Sequence, residues 1–422
     1  MSTTHSAATS AAQSATQSGT STALAEIPLL ISVDDHVIEP PNVWQDRLPK
    51  QYLDVGPRIE RRHIDGLGYI GGQYDLRYTD SGIACDCWVY EDLVVPHKRI
   101  VAAAGLPREE ITMTVITYDD MPVGAYDQQA RLQAMDENWT EASLCFPTFP
   151  RFCGQTFLEA KDRDLARLCV TAYNDWMIDE WCAGTNGRLI PLPIIPLWDA
   201  EDAAAEVRRN AARGAHAVCF SEIPPHLGLP GVHDPARHWD PFFRACSETD
   251  TVVNMHIGSS SRMPATSADA PAAVQASLTF NNAMGSMSDF IFSGVLARFP
   301  DLRIAYSEGQ IGWIPYLLER MDNVWLEHRG WGGVADQVPE PPSTYYYRQI
   351  YGCFFDDQHG LDSLDKVGVD NITFEVDYPH SDSTWPNSKQ TAQRIMAGLA
   401  PDVIHKLVRG NAIKMLSLDL QG

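Results

Sequence analysis

Short apolar runs recur along this chain near residues 29, 142, 189, 215, 251, 302, 350 and 372, and helix-like stretches separate most of them. Runs of that length, mostly apolar, read as strands buried on both faces. Their alternation with helices implies a parallel sheet with helical crossovers. Eight such strands is the number that closes a (β/α)8 TIM-type barrel, the α/β class expected here. An open doubly wound sheet is the alternative. No Gly-x-Gly-x-x-Gly follows any of the runs, so the dinucleotide-binding signature is missing. The alternation is interrupted once, after the first strand. Residues from about 57 to 126 are irregular and rich in Gly and Tyr, with hairpin signals at Ile64-Asp-Gly66 and Tyr69-Ile-Gly-Gly72. A connection so long is predicted to cover one mouth of the fold. Helices are expected over Asp127–Asn138, Ala160–Trp181, Ala200–Arg213, Pro241–Glu248, Ala272–Phe299, Ile314–Trp325 and Pro401–Leu416.

Composition narrows the class. With 422 residues, 44% of them hydrophobic, residues 27–422 can bury a single large core. Residues 1–26 are mainly Ser, Thr, Ala and Gln, with neither a basic start nor an apolar core. They read as a disordered leader and not as a secretion signal. A formal net charge of -23 argues against nucleic-acid or anionic-membrane partners, and no apolar run is long enough to span a bilayer. A cytoplasmic protein with a small-molecule substrate is expected. The nine Cys include one close pair, Cys85-Asp-Cys87, with no second pair to complete a zinc site. Reduced, mostly buried thiols are the expectation.

The chemistry-bearing residues stand where the apolar runs stop. Ile31-Ser-Val-Asp34-Asp35-His36-Val-Ile-Glu39-Pro40 places three carboxylates and an imidazole at the end of the first run. The fifth ends in His256, the sixth in Glu308, and the eighth in Asp377 and His380. Catalytic groups of a barrel sit at these C-terminal strand ends. A mixed carboxylate and imidazole set, without thiolate, suits one or two divalent ions of Zn, Mn or Fe. Asp34 and His36, two apart on a strand, share one face. Glu39 lies beyond the strand, as a second ligand or a supporting partner. Arg262 is a candidate clamp for a substrate carboxylate, and Trp385 and Tyr378 are candidate pocket walls. His97, His216, His233, His238 and His328 read as structural or exposed, and Trp313, Tyr316 and Trp325 as core.

The motifs Asp34-x-His36, Met255-His256 and Asp377-Tyr-Pro-His380 resemble the amidohydrolase superfamily. Within it, they resemble the amidohydrolase-related branch that includes aminocarboxymuconate semialdehyde decarboxylase and aromatic-acid decarboxylases. The resemblance runs over roughly residues 30–416. It implies that Asp34, His36, His256 and Asp377 are metal ligands. In that branch the first strand carries His-x-His or Glu-x-His, so here an Asp takes the first ligand position. Glu308 stands where the decarboxylases use a catalytic His, and it raises the carboxylate count toward two ions.

Three activities follow from such a site. A hydrolase would use a metal-activated water, with Asp377 taking its proton. A non-oxidative decarboxylase would need His380 or Glu308 to protonate carbon. A two-metal iron or manganese enzyme would activate oxygen on the same scaffold. A homodimer or a complex with a related chain is compatible with each of these, and a non-catalytic partner subunit is the fourth possibility.

Overall fold

The computed structural model describes residues 25–70 and 73–420. The leader expected over residues 1–26 therefore lies outside the described residues except for its last two, as do Gly71 and Gly72 of the expected hairpin signal. The first strand, β1 (Leu30–Val37), is buried along its whole length. The insertion follows as an antiparallel sheet of β2 (Arg58–Ile70), β3 (Gln73–Tyr78), β4 (Ile83–Tyr90) and β5 (Leu93–Pro96), in the order β3-β2-β4-β5. The remaining strands are β6 (Thr140–Pro147), β7 (Leu189–Ile190), β8 (Ala217–Cys219), β9 (Val252–His256), β10 (Ile304–Ser307), β11 (Ile350–Phe354) and β12 (Ile372–Phe374).

Apart from the insertion, every strand pairing is parallel, in two arcs: β1-β6-β7 and β8-β9-β10-β11-β12. All eight strands expected from the sequence are present, and their order in space is their order in the chain. Backbone hydrogen bonds bridge both gaps between the arcs. Asp377 N–H donates to Asp34 O (2.8 Å) and His36 N–H to Tyr378 O (2.7 Å) on one side. Cys219 N–H donates to Pro193 O (2.9 Å) on the other. The strand β7 is only two residues long although the apolar run extends to Leu197. Pro191, Pro193 and Pro196 within it have no N–H to give a ladder.

Aspartates start the connecting helices. Asp127, Asp162 and Asp199 each accept hydrogen bonds from the first-turn N–H groups of helices 128–137, 163–176 and 200–211. The single helix expected over 272–299 is instead three, 272–277, 280–292 and 295–298. One break falls at Gly294, at φ +72°, where a Cβ would lie 2.8 Å from Gln337 O. The left-handed backbone interrupts the helix, and only glycine fits the position. Trp313 and Trp325 pack partly against the core, whereas Tyr316 is 72% exposed.

The insertion is tied to the strand ends it overlies. Ala103 and Ala104 N–H donate to Pro379 O (2.8 and 3.0 Å), Ser381 N–H to Ile100 O (3.0 Å), and Tyr118 Oη–H to Glu39 O (2.7 Å). It thereby rests on the segments after β1 and β12.

Candidate metal centre

Asp34 and His36 project from β1, which carries a register irregularity between Ser32 and Asp35, and both side chains are buried. His256 closes β9 and Glu308 follows β10. Asp377 and His380 lie in the turn after β12. Together they form one cluster. His36 Nε2 is 3.6 Å from Asp34 Oδ1 and 3.3 Å from Asp377 Oδ1. His256 Nε2 is 3.5 Å from both Asp34 Oδ2 and Glu308 Oε2. His380 Nδ1 is 3.0 Å from Asp377 Oδ1, and its ring stacks on His36 at 3.6 Å. Glu308 and Asp377 both hold left-handed backbone, at φ +60° and +58°. Such strain in non-glycine residues persists where the surroundings impose it, typically at working sites.

The orphaned atoms carry the chemical reading. Both oxygens of Asp34, both oxygens of Asp377, His36 Nε2 and His256 Nε2 are buried without a hydrogen bond of sound geometry. Buried polar atoms are almost always satisfied, and six converging exceptions call for a cation. The tautomer agrees. His256 Nδ1–H donates to Ile257 O (2.6 Å), so Nε2 offers its lone pair to the cluster. Burial holds His256 down at about 4, hence neutral, and burial with His380 nearby keeps His36 well below its usual range. Burial raises Asp34 well above the ordinary carboxylate range, with Glu375, Asp377 and Glu308 adding repulsion. Burial would also raise Asp377, but His380 and His36 outweigh it and hold that carboxyl low. Carboxylate oxygens and imidazole nitrogens within 4.8 Å of one another fit a divalent Zn, Mn or Fe ion at Asp34, His36 and His256 and at His36, Asp377 and His380.

Sequence reasoning missed several neighbours. Asp34, Cys353 and Glu375 form a further buried group, with the Cys353 thiol hydrogen-bonded to Glu375 and Glu308 N–H donating to Glu375 Oε2 (3.0 Å). Glu375 is two residues before Asp377, and that spacing was its signal. Asp35 turns away from the cluster, accepting from Ser32 Oγ (3.0 Å), Tyr378 N–H (2.9 Å) and Ser143 Oγ. Arg131, fully buried, donates to His36 O (2.5 Å) and Gly124 O (2.7 Å) and stacks on Tyr378.

Three expected site residues are not brought into the cluster. Glu39 accepts from Thr148 and Phe149 N–H (2.9 Å each), so both oxygens are engaged after β6. The Arg262 side chain is exposed, and its carbonyl accepts from Asn282 Nδ2–H (2.7 Å). Trp385 donates from Nε1 to Ala134 O (2.9 Å) under Gly105, where a Cβ would fall 2.5 Å from its ring. It walls a cavity of about 710 Å³. An adjoining cavity of about 570 Å³ contains Glu308, and the two share Phe355, Asp356 and Asp382.

The amidohydrolase family model matches residues 85–418. The chain belongs to the amidohydrolase family. No curated protein matches this amidohydrolase. Among solved structures it is similar to an amidohydrolase from Mycobacterium avium subsp. paratuberculosis K-10, at 21% identity and a TM-score of 0.68, over 92% of this chain and 99% of that one. It is similar to 2,6-dihydroxybenzoate decarboxylase from Rhizobium, at 18% identity and a TM-score of 0.56, over 93% and 100%. It is also similar to 5-carboxyvanillate decarboxylase from Novosphingobium aromaticivorans DSM 12444 complexed with manganese, at 20% identity and a TM-score of 0.56, over 70% and 82%. At these identities the likeness shows a shared fold. Among the described residues, no helix is long and apolar enough to cross a membrane.

Proposed function

We propose that this amidohydrolase is a metal-dependent hydrolase of a small organic substrate, with Asp34, His36, His256 and Asp377 as the metal ligands. The observation that carries the reading is the convergence of six orphaned, buried donor atoms from those four residues. A divalent ion held by these four residues would supply Lewis acidity toward a carbonyl or similar centre and toward water. Asp377, paired with His380 Nδ1 at 3.0 Å, is placed to accept the proton of the attacking water. His380, 16% exposed, would pass that proton on toward solvent. Glu308 lines the adjacent cavity, where it would meet the substrate. The insertion, resting on Pro379 and Ser381, limits water at the site.

The second reading is a carboxy-lyase, and the likeness to two aromatic-acid decarboxylases supports it. Among the described residues, the Glu308 cavity itself is lined without Lys or Arg, but Arg108 and Arg394 line the adjoining cavity that shares Phe355, Asp356 and Asp382 with it. The deciding experiment incubates the manganese- or zinc-loaded chain with a panel of esters, amides, lactones and hydroxybenzoates. Hydrolysis with ¹⁸O entering the product, abolished in His256→Ala and Asp377→Ala, is the expected outcome. Release of CO₂ without ¹⁸O uptake would overturn it in favour of the carboxy-lyase.

A further inference from the structure

The turn that follows His256 is held by a carboxylate that the proposed reaction does not use. Glu222 stands three residues past β8 and is 1% exposed. Its Oε1 accepts three hydrogen bonds, from Gly258 N–H (2.9 Å), Ser260 Oγ–H (2.9 Å) and Asn282 Nδ2–H (2.8 Å). Its own N–H donates to Ser259 Oγ (2.9 Å). One residue thus grips three consecutive members of the turn, and Asn282 ties the same oxygen to Arg262 O (2.7 Å). Glu222 Oε2 is buried without a partner. Keeping a carboxyl group in that state is costly, and packing alone does not call for one.

The grip reaches the metal cluster through Gly258. This glycine lies at φ +86°, and a Cβ on it would come within 3.1 Å of Phe152 Cε2. The Phe152 ring lies flat on the His256 imidazole, with centroids 4.1 Å apart and planes 10° from parallel. His256 Nδ1–H meanwhile donates to Ile257 O, the carbonyl immediately before Gly258. Fixing Gly258 therefore fixes both the acceptor for Nδ1–H and the space that seats Phe152.

We propose that Glu222 is the positioning residue for His256: it fixes the 257–260 turn so that the imidazole keeps its Nδ1–H tautomer and aims Nε2 at Asp34. The proposal rests on the metal-dependent reading above. Partners that orient a ligating histidine typically contribute about 10- to 100-fold in metal affinity.

The experiment uses the full chain and two readouts. Affinity for zinc is measured by competition with a chromophoric chelator, and the His256 tautomer by ¹⁵N imidazole shifts of chelator-treated protein. Glu222→Ala is expected to weaken zinc by about 10- to 100-fold and to lose the Nδ1–H signature. Glu222→Gln, whose amide oxygen accepts from the same donors, is expected to restore both. If Glu222→Ala fails to fold, Ser260→Ala with Asn282→Ala removes two of the three donors and should shift both readouts the same way. A variant that folds with unchanged zinc affinity and tautomer overturns the proposal, leaving Glu222 a loop brace. Failure of the wild-type chain to bind zinc or manganese would instead overturn the metal reading, while the tautomer shifts still decide the role of Glu222.

Discussion

Asp34 offers one oxygen to each of two imidazoles, 3.6 Å to His36 and 3.5 Å to His256, and among the described residues neither oxygen has a hydrogen bond of sound geometry. Glu39 is as deeply buried but has both oxygens on backbone N–H groups. The two acids therefore differ in what they have left to give. Asp34→Asn should weaken zinc or manganese by more than the roughly 10- to 100-fold expected for a supporting group, because a carboxamide is a poor ligand. Glu39→Gln should leave affinity within a few-fold and lower thermal stability instead. Metal titration of the two apo variants checks the order, and the reverse order would make Glu39 the ligand. The motif Asp34-x-His36 was readable because alternate strand residues share a face. Glu39 was not, since its direction depends on a turn. Glu375 and Cys353 escaped notice for a different reason. Cys353 stands within a buried strand, where only the packed structure reveals that Asp34 lies beside it, and the one signal for Glu375 was its spacing from Asp377.

Among the elements, the insertion sheet is the least ordinary addition to the alternating strands and helices, and His97 shows how it is held. Its N–H donates to Asp86 O (3.0 Å), its carbonyl accepts from Ile116, and its ring meets Tyr118 edge-on at 4.9 Å. Tyr118 in turn bonds Glu39 O, so His97 stands two contacts from the end of β1. Burial holds the imidazole down to about 3, against 6.5 in the unfolded chain, and Asp86 offsets only part of this. The unfolded state then binds the proton first, so His97 makes stability fall as pH drops from about 6.5 toward 3. The slope approaches about 1.4 kcal/mol per pH unit. His97→Phe should flatten the dependence of Tm on pH between 6.5 and 5. An unchanged slope would show that the site is hydrated or opens at low cost. The eight strands were readable at this scale because each apolar run is bounded by a helix or a Pro- or Gly-rich turn. The broken helix over 272–299 was not. The contact that excludes a side chain at Gly294 comes from Gln337, 43 residues away in the chain, and no local pattern carries it.

At the scale of the whole molecule, the structure concentrates unfavourable terms where the two arcs meet. Asp34, Glu308, Glu375 and Asp377 converge there, burial is the leading force raising three of them, and among the described residues no Lys or Arg side chain pairs with any of the four. The left-handed backbone at Glu308 and Asp377 adds strain of about 1–3 kcal/mol each. The formal charge of -23 adds a diffuse repulsion of the same sign. A large core elsewhere offsets these terms, and a cation would relieve those at the site. An ion that binds only the folded chain stabilises it by about 2.7 kcal/mol at 100 times its Kd. The melting temperature should therefore climb with added zinc or manganese and fall on chelation. Asp377→Asn separates this from nonspecific screening. It removes one ligand together with a carboxylate that His380 and His36 stabilise, so the metal-free variant should melt below the metal-free wild type and gain little from added metal. Differential scanning calorimetry of both chains, with and without chelator, reads all four states. If metal raised both chains equally, the ion would be acting on the acidic surface and not through Asp377.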